Sequence, residues 1–335
     1  MTGFAPKASA KKMKPDHAHR RTDRKLAALE KRIAAEYKKA ADELSGKINA
    51  YFESFKKRDA EQKALIGSIV NGREYTAEDY KQWRLAQIGR GKRFEALRDR
   101  LAERYTRANE VAAAYINGDV AKIYAMNHAY TIQNVKGQAG GALDNIDFAL
   151  FNEHTVKRLL VERPDLMPYY PEKRAINRGI DLAYGKRQIT SVVTSGILQG
   201  QSITQMARYL MDRVTGMNQT SAVRAARTAV TQAENAGRQA AADELESKGC
   251  ILQKRWMATH DNRTRHYHAE ADGQIVDNDK PFTVGGEKLM FPGDGSMGAS
   301  GWNLYNCRCT IAIIIVGFSS ILTEIMRKRA NIRVE

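Results

Sequence analysis

Cysteine, proline and long apolar runs are all scarce in this chain of 335 residues. Three cysteines are too few for the disulfide scaffold of a small secreted protein, and they indicate folding in a reducing compartment. Seven prolines favour long helices, because an internal proline breaks a helix. No apolar run reaches the length of about 18 residues that a transmembrane helix needs, and no apolar segment follows the basic N-terminus as in a signal peptide.

Basic residues outnumber acidic ones. The chain has 54 Lys and Arg against 38 Asp and Glu, which gives a formal net charge of +16 at pH 7. This balance predicts contact with polyanions, because Lys and Arg that neutralise phosphates release bound counterions. No helix-turn-helix, zinc-finger or OB-fold signature accompanies the charge, so any binding to DNA is expected to be independent of base sequence.

The sequence predicts six successive regions. These are a basic disordered tail at 1–23, a helical domain at 24–141, a connector at 142–172, a second helical part at 173–249, a small β-containing module at 250–317 and a basic end at 318–335. We therefore predict a mainly α fold, with long N-terminal helices in a bundle and a smaller α+β module at the C-terminal end.

Periodicity and turn residues predict the helix boundaries. Apolar residues between Leu26 and Phe55 repeat at about 3.6 residues, which is typical of a straight helix in a bundle rather than of a long coiled coil. Asn117-Gly118 is expected to end a later helix. Ser202 is expected to begin a short helix, and Thr220-Ser221 a separate long one that Gly249 ends.

Unusual residues concentrate between Cys250 and Val316, where all three cysteines lie. One interpretation is a Zn²⁺ site, because His nitrogen and Cys sulfur are the ligands that zinc prefers. The candidate ligands are His266, His268, Cys307 and Cys309, although Cys-x-Cys is tighter than the usual spacing of a zinc knuckle. Zinc is the candidate cofactor for this chain.

Two other interpretations of the same region need no bound metal. In a packed structural motif, Trp256 anchors the core, Arg265 pairs with Asp261 or Asp272, and the cysteines are small buried side chains or an oxidisable pair. In a catalytic site, Asp261 and His266 act as base and acid. No nucleophile elbow, P-loop, HExxH or paired-carboxylate spacing supports the catalytic interpretation.

The order of motifs resembles that of a known family. Trp256 begins the pattern W-x-x-T-x-D-x-R-T-R-x-x-H, and an upstream helix carries R-T-x6-N. The residues that carry the resemblance are Arg227, Thr228, Asn235, Trp256, Asp261, Arg263, Arg265, His266, Gly273, Asn306, Cys307, Arg308 and Cys309. The series is similar to that of the phage Mu F-like head morphogenesis family, the minor capsid proteins of tailed phages. Relatives often have Glu after the R-T pair, where this chain has Ala229.

The resemblance implies a structural virion protein rather than an enzyme. It implies a place in the capsid interior or at the portal vertex, after assembly in the host cytoplasm without a membrane. The portal protein is the implied partner, with major capsid protein, scaffolding protein and packaged double-stranded DNA as further candidates. The implied roles are head assembly, genome packaging or genome delivery. No toxin domain of the kind that some relatives carry is expected after Val316.

Two other functions stay open on the residues alone. The first is a sequence-independent DNA-binding protein, and the second is a metal-dependent hydrolase that uses the His and Cys cluster. The candidate phosphate contacts in the basic tail are Lys11, Lys12, Lys14, Arg20 and Arg21. His17 and His19 of the same tail are expected to be solvated.

Overall fold

A computed structural model describes residues 16–144, 146–149, 156, 180–324 and 327. The longer helices are α1 (His17–Glu53), α2 (Lys56–Ala64), α3 (Ala77–Gln87), α4 (Lys92–Gln138), α5 (Leu182–Leu198) and α6 (Ile203–Ser247). Two short helices, α7 (His266–Glu270) and α8 (Gly301–Leu304), lie farther along the chain. Among the described helices, none combines the length and the hydropathy needed to cross a membrane.

Strands are short and lie mostly in the C-terminal module. They are β1 (Ile69–Val70), β2 (Arg73–Glu74), β3 (Cys250–Met257), β4 (Ile275–Asp277), β5 (Phe282–Val284), β6 (Glu287–Leu289) and β7 (Thr310–Phe318). β1 and β2 form a hairpin, as do β5 and β6, and β3 lies between β4 and β7 in an antiparallel sheet. The predicted fold class, mainly α with a small β-containing module, is confirmed.

The chain divides into two compact units, each assembled from separate stretches of sequence. The terminal unit comprises the described residues of Met1–Leu29, Ile116–Tyr170 and Arg224–Glu335, and the middle unit those of Glu30–Tyr115 and Pro171–Val223. The division follows tertiary contacts rather than chain order. Most of the connector predicted at 142–172 and of the basic end at 318–335 lies outside the described residues.

The middle unit buries the apolar stripe of α1 from Glu30 onward. Ile33, Tyr37 and Ile48 are almost completely buried, as the helical period predicts. Arg84 of α3 is a buried cation that links three segments of this unit. It pairs with Asp59 of α2 at 3.0 Å and donates to the carbonyl of Gln201, just before α6, at 2.6 Å. A charge at this depth is stable only when it is paired and hydrogen-bonded.

Helix α1 begins at His17, inside the segment predicted as a disordered tail. The Asp16 carboxylate accepts a hydrogen bond from the backbone N–H of His19 at 2.8 Å and so satisfies one free donor of the first turn. His19 and Thr22 are buried, whereas His17 is exposed. The predictions of a tail up to residue 23 and of a solvated His19 are therefore wrong, because tertiary packing orders this polar segment.

Two predicted helix ends are also wrong. Helix α4 continues through Asn117-Gly118, and α6 continues through Thr220-Ser221. A glycine inside a helix costs about 1 kcal/mol relative to alanine, while each fully buried aliphatic side chain contributes about 1.5–3 kcal/mol. Ile116 and Val120 are buried on either side of the turn signal, so packing outweighs it. Gly249, with a φ of +96°, does follow the end of α6 as predicted.

The core of the terminal unit joins the C-terminal module to α6. Trp256 is fully buried and its ring meets that of Phe282 edge-to-face at 5.4 Å, which confirms its predicted role as a core anchor. Ala241 and Leu245 of α6 belong to the same apolar cluster as Trp256 and Ile311 of β7. The small alanines of α6 allow the sheet to approach the helix closely.

Gly237 generates a stability prediction, because a Cβ there would lie 2.5 Å from the carbonyl oxygen of Tyr124 on α4. We expect Gly237→Ala to lower the free energy of unfolding by about 1–3 kcal/mol, since a backbone atom cannot move aside locally. Gly118→Ala is the matched control. A Cβ at Gly118 meets nothing within 4 Å, so this change should stabilise by about 0.5–1 kcal/mol. Thermal unfolding measures both, and equal stabilisation by the two changes would contradict the close approach.

Candidate functional site

Three of the predicted metal ligands meet inside the C-terminal module. The Nδ1 atom of His268 on α7 lies 3.5 Å from the Sγ atom of Cys307 and 3.5 Å from that of Cys309. All three side chains are buried, and their candidate ligand atoms lie within 4.8 Å of one another. Within the described chain, this is the one group of three or more His, Cys, Asp or Glu side chains arranged in this way.

His266 does not join the group, so its prediction as a ligand is wrong. Its side chain is 79% exposed, and its Nε2 atom lies 3.0 Å from Oε1 of Glu270. The reason is helical geometry, because residues two apart on α7 point to different sides of the helix. Spacing in the sequence alone did not distinguish His266 from His268.

The predicted charge pairing is also different. Arg308 binds Asp261 with two hydrogen bonds, Nη1 to Oδ2 at 2.6 Å and Nη2 to Oδ1 at 2.8 Å. This interaction holds the pKa of Asp261 well below its ordinary value. Arg265 donates instead to the backbone carbonyl of Tyr305, and His260 lies 3.0 Å from Asp272. The predicted pairing of Arg265 with Asp261 or Asp272 is therefore wrong.

The predicted acid–base pair is not assembled. Asp261 is engaged by Arg308, and His266 by Glu270. Catalysis of the proposed kind needs the two groups to converge on one reacting atom. The geometry therefore does not support the predicted acid–base pair.

Other motif residues shape the loops. Gly273, with a φ of +80°, turns the chain so that its N–H donates to the carbonyl of Trp256 at 2.9 Å. The backbone N–H of Arg263 donates to Asp261 at 3.0 Å. Asn306 has a φ of +59°, and its N–H donates to the hydroxyl of Thr228 at 3.0 Å. Asn tolerates this left-handed conformation better than most residues.

One polar face of α6 holds these loops through backbone groups. The Thr231 hydroxyl donates to the carbonyl of Cys307, and the Gln232 amide donates to that of Gly293 at 2.6 Å. All of these atoms are buried, where an unpaired carbonyl would cost about 1–3 kcal/mol. Arg227, also in the motif, is half-buried on the same helix.

The free edge of β7 is paired by side chains instead of by a fourth strand. Asn235 of α6 accepts from the N–H of Ile311 at 3.0 Å and donates to the carbonyl of Cys309 at 3.1 Å. Gln138 of α4 repeats this pattern, accepting from Ile315 at 3.1 Å and donating to Ile313 at 3.0 Å. A side-chain amide has the same donor and acceptor as a peptide group, so it satisfies a strand edge that would otherwise be open to association.

Arg238 donates hydrogen bonds to four parts of the terminal unit. Its guanidinium donates to both carboxylate oxygens of Asp16, at 2.6 and 3.0 Å, and to Glu234 at 3.1 Å. It also donates to Asn127 of α4 at 3.2 Å and to the carbonyl of Ile311 at 3.0 Å. Each of the five N–H donors of arginine thus has an acceptor.

The sequence motifs assigned no site role to Asp16, His19, Gln138, Glu234 or Arg238. A signal was present in α6, where Glu234 and Arg238 are four residues apart in an alanine-rich helix. Such a helix has little apolar volume of its own and packs closely, so its polar residues become buried. No comparable signal marks Asp16 or His19, which act across more than 200 residues of sequence.

The central part of the chain has a family match. Residues 187–312, from within α5 to within β7, match the model of the family described as Phage Mu protein F like protein. This segment contains His268, Cys307 and Cys309 and the polar face of α6. The resemblance predicted from the sequence motifs is confirmed.

Two curated relatives show how far the similarity extends. The chain is 25% identical to Minor head protein GP7 of Bacillus phage SPP1 over 299 residues, which are 88% of this chain and 85% of that protein. It is 31% identical over 133 residues to the NAD(+)--arginine ADP-ribosyltransferase EFV of Enterococcus faecalis (strain ATCC 700802 / V583). The match covers 40% of this chain but only 26% of the transferase, so the chain spans about a quarter of that relative. None of the solved structures matches the chain.

Asn235 generates the second prediction. Asn235→Asp keeps the shape of the side chain but removes the amide donor that binds Cys309 and places a charge among buried carbonyls. We expect the free energy of unfolding to fall by about 2–4 kcal/mol. Asn262→Asp makes the same chemical change at an exposed position and should stay within about 0.5 kcal/mol of wild type. Urea unfolding of both variants provides the measurement, and equal effects would contradict the role of Asn235.

His19 generates a pH prediction. Its Nδ1 atom lies 2.8 Å from Glu234 in the interior. Burial alone lowers the pKa of His19, but attraction to Glu234 and their hydrogen bond outweigh burial, so the pKa is raised above 6.5. The folded state therefore binds this proton more tightly than the unfolded state. The resulting stabilisation is complete below the unfolded pKa and is lost as the pH rises through the raised value.

The measurement is the free energy of unfolding of wild type and His19→Gln between about pH 6 and pH 9. The difference between them should be largest at the acidic end and should shrink as the pH rises. His17→Gln, an exposed neighbour on α1, is the control and should leave stability nearly unchanged. If the difference in free energy of unfolding between wild type and His19→Gln grew with pH, the buried imidazole would be neutral and the prediction wrong.

Proposed function

We propose that this chain is a structural minor head protein of a tailed phage, associated with the portal vertex and acting in head assembly, genome packaging or genome delivery. One observation carries the proposal: the similarity to Minor head protein GP7 extends over 88% of this chain and 85% of that protein. A match that spans both chains supports a shared overall role better than a match to one segment does.

The partial similarity to the transferase supports an enzymatic role less well. It leaves about three quarters of the transferase without a counterpart in this chain. The polar contacts of the C-terminal module also favour a structural role, since Asp261 is engaged by Arg308 and His266 by Glu270. In this proposal the module is a scaffold whose buried polar contacts hold its loops in place.

The proposed partners are other components of the head. The portal protein comes first, followed by the major capsid or scaffolding protein. The proposal places the chain in the virion, in the capsid interior or at the portal vertex, after assembly in the host cytoplasm.

Sequence-independent contact with packaged DNA is the secondary part of the proposal. The net charge of +16 supports it, and so do the side chains of Arg20 and Arg21, which are exposed on α1. Lys31 and Lys38, which belong to the middle unit, are exposed as well. The other predicted contacts, Lys11, Lys12 and Lys14, lie outside the described residues.

The test is co-expression of the full chain with the portal protein of the same phage, followed by nuclease treatment, size-exclusion chromatography and native mass spectrometry. We expect a complex of defined stoichiometry that survives the nuclease. The variant Arg20→Gln/Arg21→Gln should keep the portal complex while binding DNA with a weaker dependence on salt, because two phosphate contacts are lost.

Two outcomes would contradict the proposal in different ways. If the chain elutes without the portal protein, and if heads assembled in its presence exclude it, the role in the head is wrong. If the complex dissolves on nuclease treatment, DNA bridges the two proteins and the direct contact is wrong. Arg20→Lys/Arg21→Lys is the charge-preserving control and should bind DNA like wild type.

A further inference from the structure

The donor set of the buried group is the first argument for a ligand. One imidazole nitrogen and two sulfur atoms converge with no carboxylate among them. Soft sulfur donors combined with imidazole select zinc or a similar ion over magnesium or calcium, which prefer oxygen. The group is also enclosed, because His268, Cys307 and Cys309 are each no more than 2% exposed.

Hydrogen bonds around His268 determine which of its nitrogens can act as a ligand. The Asn303 amide donates to the carbonyl of Val284 at 2.9 Å and to Glu287 at 3.0 Å. Its oxygen therefore faces the Nε2 atom of His268, 2.7 Å away. Nε2 must carry the proton of a neutral ring, which leaves the lone pair of Nδ1 directed at the two sulfurs. Metal-binding histidines are typically held by such an outer partner.

Hydrogen-bond donors lie near the sulfur atoms. The backbone N–H of Cys309 points at Sγ of Cys307, 3.3 Å away. The buried indole N–H of Trp256 has no hydrogen-bond acceptor among the described nitrogen and oxygen atoms.

The distances match those around a tetrahedral zinc ion. Zn–N bonds of about 2.0–2.1 Å and Zn–S bonds of about 2.3 Å at the tetrahedral angle separate nitrogen from sulfur by about 3.6 Å. Both Nδ1–Sγ distances are 3.5 Å. The position of His268 relative to each sulfur therefore already fits the ion.

We propose that His268, through Nδ1, and Cys307 and Cys309, through Sγ, bind one structural Zn²⁺ ion. On binding, each thiol that is still protonated releases its proton to solvent as a Zn–S bond forms, so affinity falls as the pH falls. The ion joins α7 to the segment before β7, two stretches about 40 residues apart that the sheet does not pair directly. This inference is independent of the proposed function in the phage head.

The first experiment measures metal in the full chain, purified with reductant and exposed to excess ZnCl₂ before desalting. Elemental analysis and native mass spectrometry should give one zinc per chain. Cys307→Ser, Cys309→Ser and His268→Asn should each lower the zinc content at least tenfold. Two matched controls make the same chemical changes nearby: Cys250→Ser, also buried in this module, and His266→Asn, exposed on α7. Both should retain the ion.

A second measurement uses wild-type protein, because a ligand variant that fails to fold would lose zinc for a trivial reason. Replacement of zinc by Co²⁺ should produce thiolate-to-cobalt charge-transfer absorption and the strong visible bands of a tetrahedral site. A folded wild-type chain that binds neither ion in a stoichiometric amount would overturn the proposal. The proposal would also be overturned if the intact mass of protein purified with reductant showed a disulfide between Cys307 and Cys309.

Discussion

The terminal unit depends on one interaction in its interior. Polar side chains of α6 form the hydrogen bonds that a neighbouring strand would otherwise form with the free edge of β7. Glu234, Asn235 and Arg238 lie at the free edge of β7, where Ile311 would otherwise leave its N–H and C=O unpaired in the interior. Burial of unpaired polar groups is costly, whereas a fully satisfied network holds one arrangement. The same side chains reach Asp16 and Asn127, so α1, α4, α6 and the sheet share one set of hydrogen bonds.

This arrangement explains why the R-T-x6-N pattern accompanies the N-C-R-C pattern. Thr228 receives the N–H of Asn306, and Asn235 pairs with backbone on both sides of Thr310. The helix motif therefore places the loop that carries Cys307 and Cys309, and the proposed zinc ion would link that loop to α7. Ala229 of the same helix is fully buried, so a glutamate at this position would need a polar partner of its own.

Several of the sequence predictions depended on local signals and were accurate. The apolar period of α1, the start of the β-containing module at Cys250 and the end of α6 before Gly249 all follow from the residues of the segment itself. The predicted breaks at Gly118 and Ser221 failed for the opposite reason, since tertiary burial on either side outweighs a weak helix preference. His19 and Arg238 escaped prediction because their partners lie far away in the sequence.

The sequence by itself determined the mainly helical class, the position of the β-containing module and the residue types available for a metal. Only the tertiary structure decided that His268 rather than His266 meets the two cysteines, that Arg308 rather than Arg265 binds Asp261, and that Gln138 completes a strand edge. Secondary structure follows from periods of two and 3.6 residues, which can be read locally. Pairing between groups 40 to 200 residues apart depends on which buried surfaces meet, and that is settled when the whole chain packs.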